Sequence, residues 1–449
     1  MPAVHPFHAV QFGGGSGDVS TLVAPPYDVL DLDGKNRLLS ENAYNIVGID
    51  LPHVPAKELG PTATYASAGE RFENMLKTGV LGKRSTPAMF AYRQTFNFAG
   101  KTHQRLGMAC TIDTVPFGPR AGGGILPHEE TFSGPKEDRF ALMKATKSQL
   151  SPIFGLHADD QGRAVALLRK VMSSGPANMT ATTKDGVFHE VWTVDDSATI
   201  KAYTDALAGE DIFIADGHHR YTTAINYLKA LDADGKAGPD HPARKCMIVL
   251  VGMSDPGLVI GPTHRVLGGM ATYSVDNFLA AARPYFDILD GPDNAKDIER
   301  AMEAVAAKSG GRNVLGLLDF KLGKTFVATL KDADPLAGSF SDKPREWRTL
   351  DVALIQHLIV KQICEPALNG GQPVKWAFPH SVEEVLDIGS GRETGAGGGS
   401  GFAQLAVIVR PTPLASVRAV SKANQLMPQK STFFYPKLAT GLFINQVSG

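Results

Sequence analysis

A chain of 449 residues with 43% apolar content is long enough for two or three domains with substantial cores. Its formal net charge is −1, so it carries no global basic field of the kind that drives nonspecific binding to nucleic acid or membrane surfaces. Cys110, Cys246 and Cys364 are few, odd in number and far apart, which argues against a disulfide framework and a cysteine-rich zinc site and points to a reducing cytoplasm.

The start, Met1-Pro2-Ala3-Val4-His5, lacks the basic and apolar regions of a signal peptide, and no apolar run reaches bilayer-spanning length, so a cytoplasmic protein without a membrane partner is expected. Pro25-Pro26-Tyr27-Asp28 reads as a rigid turn, with Asp28 either a turn residue or a pocket carboxylate that contacts substrate. Apolar spacing predicts helices over 66–77, 135–150, 161–173, 200–208, 218–231, 275–286, 295–307 and 351–364. Short β-branched and aromatic runs predict strands over 88–92, 106–112, 186–194, 212–214, 247–251, 313–319, 325–330 and 402–409. This alternation indicates an α/β or α+β fold. Turn signals place boundaries near Ser151 and Gly291, giving regions 1–150, 151–290 and 291–449; the apolar Phe443-Ile444 predicts that the last packs back onto the body. The glycine clusters at 13–17, 118–124 and 389–401 match neither a P-loop nor a dinucleotide fingerprint and read as surface loops.

The run Ile212-Phe213-Ile214-Ala215-Asp216-Gly217-His218-His219-Arg220 carries the most chemistry. A buried strand stops at an acidic-glycine turn and opens into a helix, with Asp216 as a candidate cap and Gly217 permitting the turn. Helix dipole, backbone N–H groups, His218, His219 and Arg220 would then meet at one point, where an anion is the natural occupant. Arg220 would clamp phosphate oxygens, and Asp216 would bind Mg²⁺ or an acceptor hydroxyl. Two adjacent histidines on a helix point about 100° apart, which weighs against a shared metal. His128-Glu129-Glu130-Thr131 lacks zincin spacing but suits a general base or Mg²⁺ ligand beside a substrate-contacting His128. Lys136, Arg139, Lys144 and Lys147 form a stripe that either meets phosphates or faces solvent. Thr263-His264-Arg265 is a second, smaller corner, with His264 and Arg265 as candidate substrate contacts. Lys430, Ser431, Thr432 and Lys437 interleave with Phe433, Phe434 and Tyr435, a pattern fitting either a nucleotide or a buried aromatic strand.

Asp216-Gly217-His218-His219-Arg220 after a strand resembles the signature of the ParB/sulfiredoxin superfamily and its free-serine kinases, in which such a turn holds nucleotide phosphates. Four blocks also resemble the bacterial and archaeal domain-of-unknown-function family ten-fifteen: residues 25–29, residues 126–139, the 216–220 corner and residues 427–437. The superfamily resemblance implies a mixed-sheet ParB/sulfiredoxin-like core. It also implies a nucleotide-dependent phosphotransferase acting on a small hydroxyl-bearing metabolite. ADP or ATP with Mg²⁺ would sit on Gly217, His218, His219, Arg220, Lys136, Arg139 and Lys430, with Glu129 (or Glu130 or Asp28) activating the acceptor alongside Asp216 and His219. A non-enzymatic nucleotide-binding switch and a phosphatase remain the alternatives. Nucleic acid is the least expected partner, because no groove-reading module is visible.

Overall fold

The structure, a computed structural model, describes residues 3–56, 58–129, 133–392 and 401–448. It divides into two compact units, residues 1–259 with 436–449, and residues 260–435. The turns at Ser151 and Gly291 both lie inside these units.

Among the described residues the first unit is built on a ten-stranded mixed sheet. Its strands are β1 (Val4–His5), β2 (Gly17–Asp18), β3 (Met89–Phe98), β4 (Lys101–Asp113), β5 (Ile125–Leu126), β6 (Ile153–His157), β7 (Met179–Thr182), β8 (Phe188–Val194), β9 (Ile212–Asp216) and β10 (Lys245–Gly252). They run in the order β2-β7-β8-β3-β4-β10-β6-β9-β5, with β1 beside β4. Ala99 and Gly100, at φ 48° and 73°, form the two-residue turn whose twist suits a hairpin, and so fix the register of β3 on β4. Strand alternation then sorts the side chains. Met89, Ala91, Leu106, Met108, Cys110 and Ile112 pack in one core with residues of three helices, α3 (Arg163–Ser173), α4 (Ser197–Ala206) and α5 (His218–Ala233). On the opposite alternation, Phe90 and Tyr92 meet Phe443 of the returning C-terminus at ring-centroid distances of 5.4 and 5.7 Å. Among the helices that precede these in the chain are α1 (Thr62–Lys77) and α2 (Ser133–Thr146), and Met143 of α2 shares an apolar cluster with Tyr227 and Leu228 of α5.

The second unit holds a six-stranded antiparallel sheet among its described residues, with apolar clusters that include Phe278, Leu358 and Ile363 in one and Ile298, Val385 and Ile388 in another. No helix among the described residues is long and apolar enough to cross a membrane.

Candidate functional site

Parallel pairing builds the site. β5 lies parallel to β9, with Ile125 opposite Ile212 and Leu126 opposite Phe213, so the segment leaving β5 and the helix leaving β9 emerge at the same edge. Ligands of mixed and parallel sheets bind outside such carboxyl ends. Gly217, at φ 95°, turns the chain from β9 into α5, a backbone conformation that favours glycine, and a Cβ there would press on the Arg220 guanidinium at 3.1 Å.

Asp216 does not cap α5, which starts without a side-chain cap. Its carboxylate instead grips two cations, Arg220 Nη2 on Oδ2 at 2.6 Å and Lys437 Nζ on Oδ1 at 2.6 Å. Burial alone would push this carboxyl up, but Lys437 and Arg220 outweigh it and hold the group well below the usual range. Burial likewise works against the Lys437 ammonium, and Asp216 and Asp28 reverse that, leaving its pKa raised. Because both Asp216 oxygens already carry cations, the residue does not fit a Mg²⁺ ligand, and no step through Mg²⁺ follows. No group of three or more His, Cys, Asp or Glu among the described residues could hold a metal ion.

The two histidines of the corner diverge, as their spacing on a helix demands. His218 is 8% exposed and turns inward, its Nε2 accepting the backbone N–H of His128 at 3.3 Å, which leaves its proton on Nδ1. His128 is 1% exposed, and its Nδ1 donates to the Ile214 carbonyl at 2.7 Å; the two rings meet edge to face at 4.8 Å. Burial lowers the pKa of both, so they sit there as neutral imidazoles. His218 is therefore a strut of the corner and not a charged phosphate donor. His219 and Glu129 are half-buried and stay at the rim. Glu130 and Thr131 lie outside the described residues.

The N-terminal block joins this network. Tyr27 lies under the Arg139 guanidinium, which is 3.8 Å from the ring centroid, and Asp28 acts on Lys437. Burial pushes the Tyr27 phenol up, while Arg139 and Arg220 draw it back. Arg139 itself is 6% exposed and held by ion pairs: Nη1 donates to the Asp50 carbonyl at 2.6 Å and Nε to Asp138 Oδ2 at 2.7 Å. Its stripe is thus split, because Lys144 and Lys147 are exposed and Lys136 is half-buried, while Arg139 is a buried ion-pair residue. A cavity of about 40 Å³, lined among others by Asp50, Arg139, Ser151, Arg220 and Cys246, lies behind the corner.

Three predicted contacts belong to the second unit. Arg265 is 2% exposed and spends its guanidinium on the Thr263 carbonyl at 2.6 Å and the Lys430 carbonyl at 2.9 Å. His264 is fully buried, accepts the Val409 N–H at 3.2 Å, and burial brings its pKa down to about 3. Lys430 is exposed, with φ 58°. These residues hold a loop of their own unit. The first unit gathers Asp28, His128, Glu129, Arg139 and the 216–220 corner, and adds Lys437, which the sequence pattern places in the C-terminal block, as part of a nucleotide site or of a buried strand, but does not pair with Asp216. The signal was present in the C-terminal block, but a partner 221 positions away leaves no spacing to read.

No curated protein matches this sequence. Among solved structures the chain is similar to a free serine kinase in complex with AMP, at 11% identity and a TM-score of 0.31, over 73% of this chain and 95% of that one. It is similar at the same score to a conserved hypothetical protein from Pyrococcus furiosus, at 12% identity over 73% of this chain and 98% of that one. A third is C-terminally truncated SbnI from Staphylococcus aureus, at 9% identity and 0.31, over 72% of this chain and 83% of that one. Residues 4–353 match the model of the family described as Protein of unknown function (DUF1015), and the chain belongs to that family.

Proposed function

We propose that the Asp216 corner binds the phosphates of a nucleotide and that the protein transfers a phosphoryl group to the hydroxyl of a small metabolite. The observation that carries this reading is the pair of cations, Arg220 and Lys437, held on one carboxylate at the uncapped start of a sixteen-residue helix. Two cations at the end of a helix dipole, with Asp216 and Asp28 offsetting part of their charge, offer an anion the positioned donors that phosphoryl transfer asks of a protein. The resemblance of residues 216–220 to a phosphate-holding signature points the same way. In this reading Lys437 and the rim His219 contact phosphate oxygens, Arg220 fixes Asp216 and the turn, and Glu129 orients or deprotonates the acceptor hydroxyl.

The test is thermal unfolding of the wild type and of Lys437→Ala with ADP, ATP, CTP, serine and phosphoserine, followed by a transfer assay with each acceptor that shifts the transition. A hundredfold excess over Kd should stabilise the wild type by about 2.7 kcal/mol, and the variant should lose that response. Turnover in Lys437→Ala should fall by about 2–4 kcal/mol of transition-state stabilisation. Nucleotide binding without turnover would favour the switch reading, and no response to any nucleotide would remove both.

A further inference from the structure

An arginine in the middle of a sheet needs a reason, because burying a guanidinium costs several kcal/mol unless its donors are met, and well-packed apolar residues are often as stable. Arg105 is 1% exposed and stands opposite Gln94, also 1% exposed, on the paired strands β3 and β4. Its Nη2 donates to the Pro436 carbonyl at 2.6 Å, and its Nε donates to Gln94 Oε1 at 3.2 Å. Gln94 in turn donates Nε2 to the Lys437 carbonyl at 3.0 Å. The guanidinium stands 4.5 Å from the ring centroid of Phe154, the residue that pairs with Asp216 in the sheet. Two adjacent carbonyls of one segment are thus pinned from inside the sheet, and that segment delivers the ammonium to Asp216.

We propose that Arg105, with Gln94, is a positioning residue for Lys437. Together they fix where the peptide carrying Lys437 leaves the sheet. The proposal rests on the phosphate-site reading only for what a displaced Lys437 would do to ligand.

The full-length protein, Arg105→Met, Gln94→Met and Asp216→Asn are labelled briefly with an amine-reactive acetylating reagent, and the rate at Lys437 is read by peptide mass spectrometry, with the remote Lys201 as internal reference. Asp216→Asn supplies the rate of an unpinned ammonium. Arg105→Met should raise labelling at Lys437 about tenfold, the scale of one lost hydrogen bond to a charged group, and leave Lys201 unchanged. Where Arg105→Met shows no cooperative unfolding, Gln94→Met serves, since it removes the bond to the Lys437 carbonyl and leaves Arg105 its bond to Pro436. A wild-type labelling rate at Lys437 in a folded variant overturns the proposal, as does an equal rise at Lys201. The rise in Tm with ADP should shrink in the same variants. No ADP response in the wild type overturns the phosphate-site reading and leaves the labelling comparison standing.

Discussion

Asp216 is the residue on which the corner balances. Its two cations would repel each other without it, and the side chains of all three are 12–24% exposed, so water screens them only in part. Asp216→Asn should therefore destabilise the protein by about 3 kcal/mol in urea unfolding at pH 7.5, the low end for removing one partner of a buried ion pair. The sign against pH follows from the shifts. The depressed Asp216 pKa gives stability that is present above the ordinary carboxylate value of 3.8 and is lost as pH falls below it. The raised Lys437 pKa gives stability that is present below 10.5 and is lost as pH rises beyond it. The deficit of the variant should thus be flat across neutral pH, and a deficit that closes between pH 6 and 9 would contradict the assignment. The chemistry of this corner was legible because a strand, a glycine turn and a helix are local patterns. The direction of each side chain was not: that His218 faces inward and that Asp216 holds cations instead of capping depend on His128 and Lys437, which arrive from 90 and 221 positions away.

At the scale of elements, the C-terminal segment from Pro436 onward is a strap through the first unit. Its backbone is met at Pro436 by Arg105, at Lys437 by Gln94, at Thr440 by Ala24 and at Leu442 by Gln11, while Val10 pairs with Ile444 and Asn445 with Gln149. Phe443 and Ile444 are fully buried beneath the sheet. The apolar tail of the sequence announced that it would pack back, but not onto what. Removing it exposes core side chains and takes away the backbone acceptors of Gln11 and Gln94, each costing about 1–3 kcal/mol. A chain ending at Tyr435 should accordingly lose cooperative unfolding of the first unit, read by circular dichroism, and should lack any response to nucleotide. Retention of a wild-type transition would show the strap to be dispensable. The long helices were found to within a few residues because amphipathic period survives in sequence. Strand β6 was missed, since Ile153-Phe154-Gly155-Leu156-His157 interrupts its apolar run with glycine and histidine, and only the neighbours β9 and β10 make it a central strand.

At the scale of the whole molecule, the two units differ in how they store neutral imidazole. The first holds His128, His157, His189 and His218, each at most 8% exposed, and burial lowers all four, His157 to about 4 and His189 to about 3. The second holds buried His264, lowered to about 3, and half-buried His357, lowered in the same direction. For such a group the unfolded chain takes up a proton near 6.5 while the folded one does not. Its share of stability is present above that value and is lost as pH falls toward the folded pKa. Each histidine then contributes a slope of about 1.4 kcal/mol per pH unit, so four bound the first unit at about 5 kcal/mol per unit. Buried Asp50 and Asp255, with raised pKa values, act in the opposite sense, but they are two against four and titrate from a lower starting value. Trp192 is the single tryptophan of the first unit, and Trp347 and Trp376 belong to the second, so fluorescence can read each unit once the other's tryptophans are replaced by phenylalanine. Between pH 6.5 and 5 the urea midpoint reported by Trp192 should drop steeply, and that reported by Trp347 and Trp376 should drop by about half as much or less. Equal slopes in the two units would mean that the interior histidines of the first unit are protonated in the folded state, and a flat midpoint from pH 7.5 to 5 would remove the argument from burial altogether.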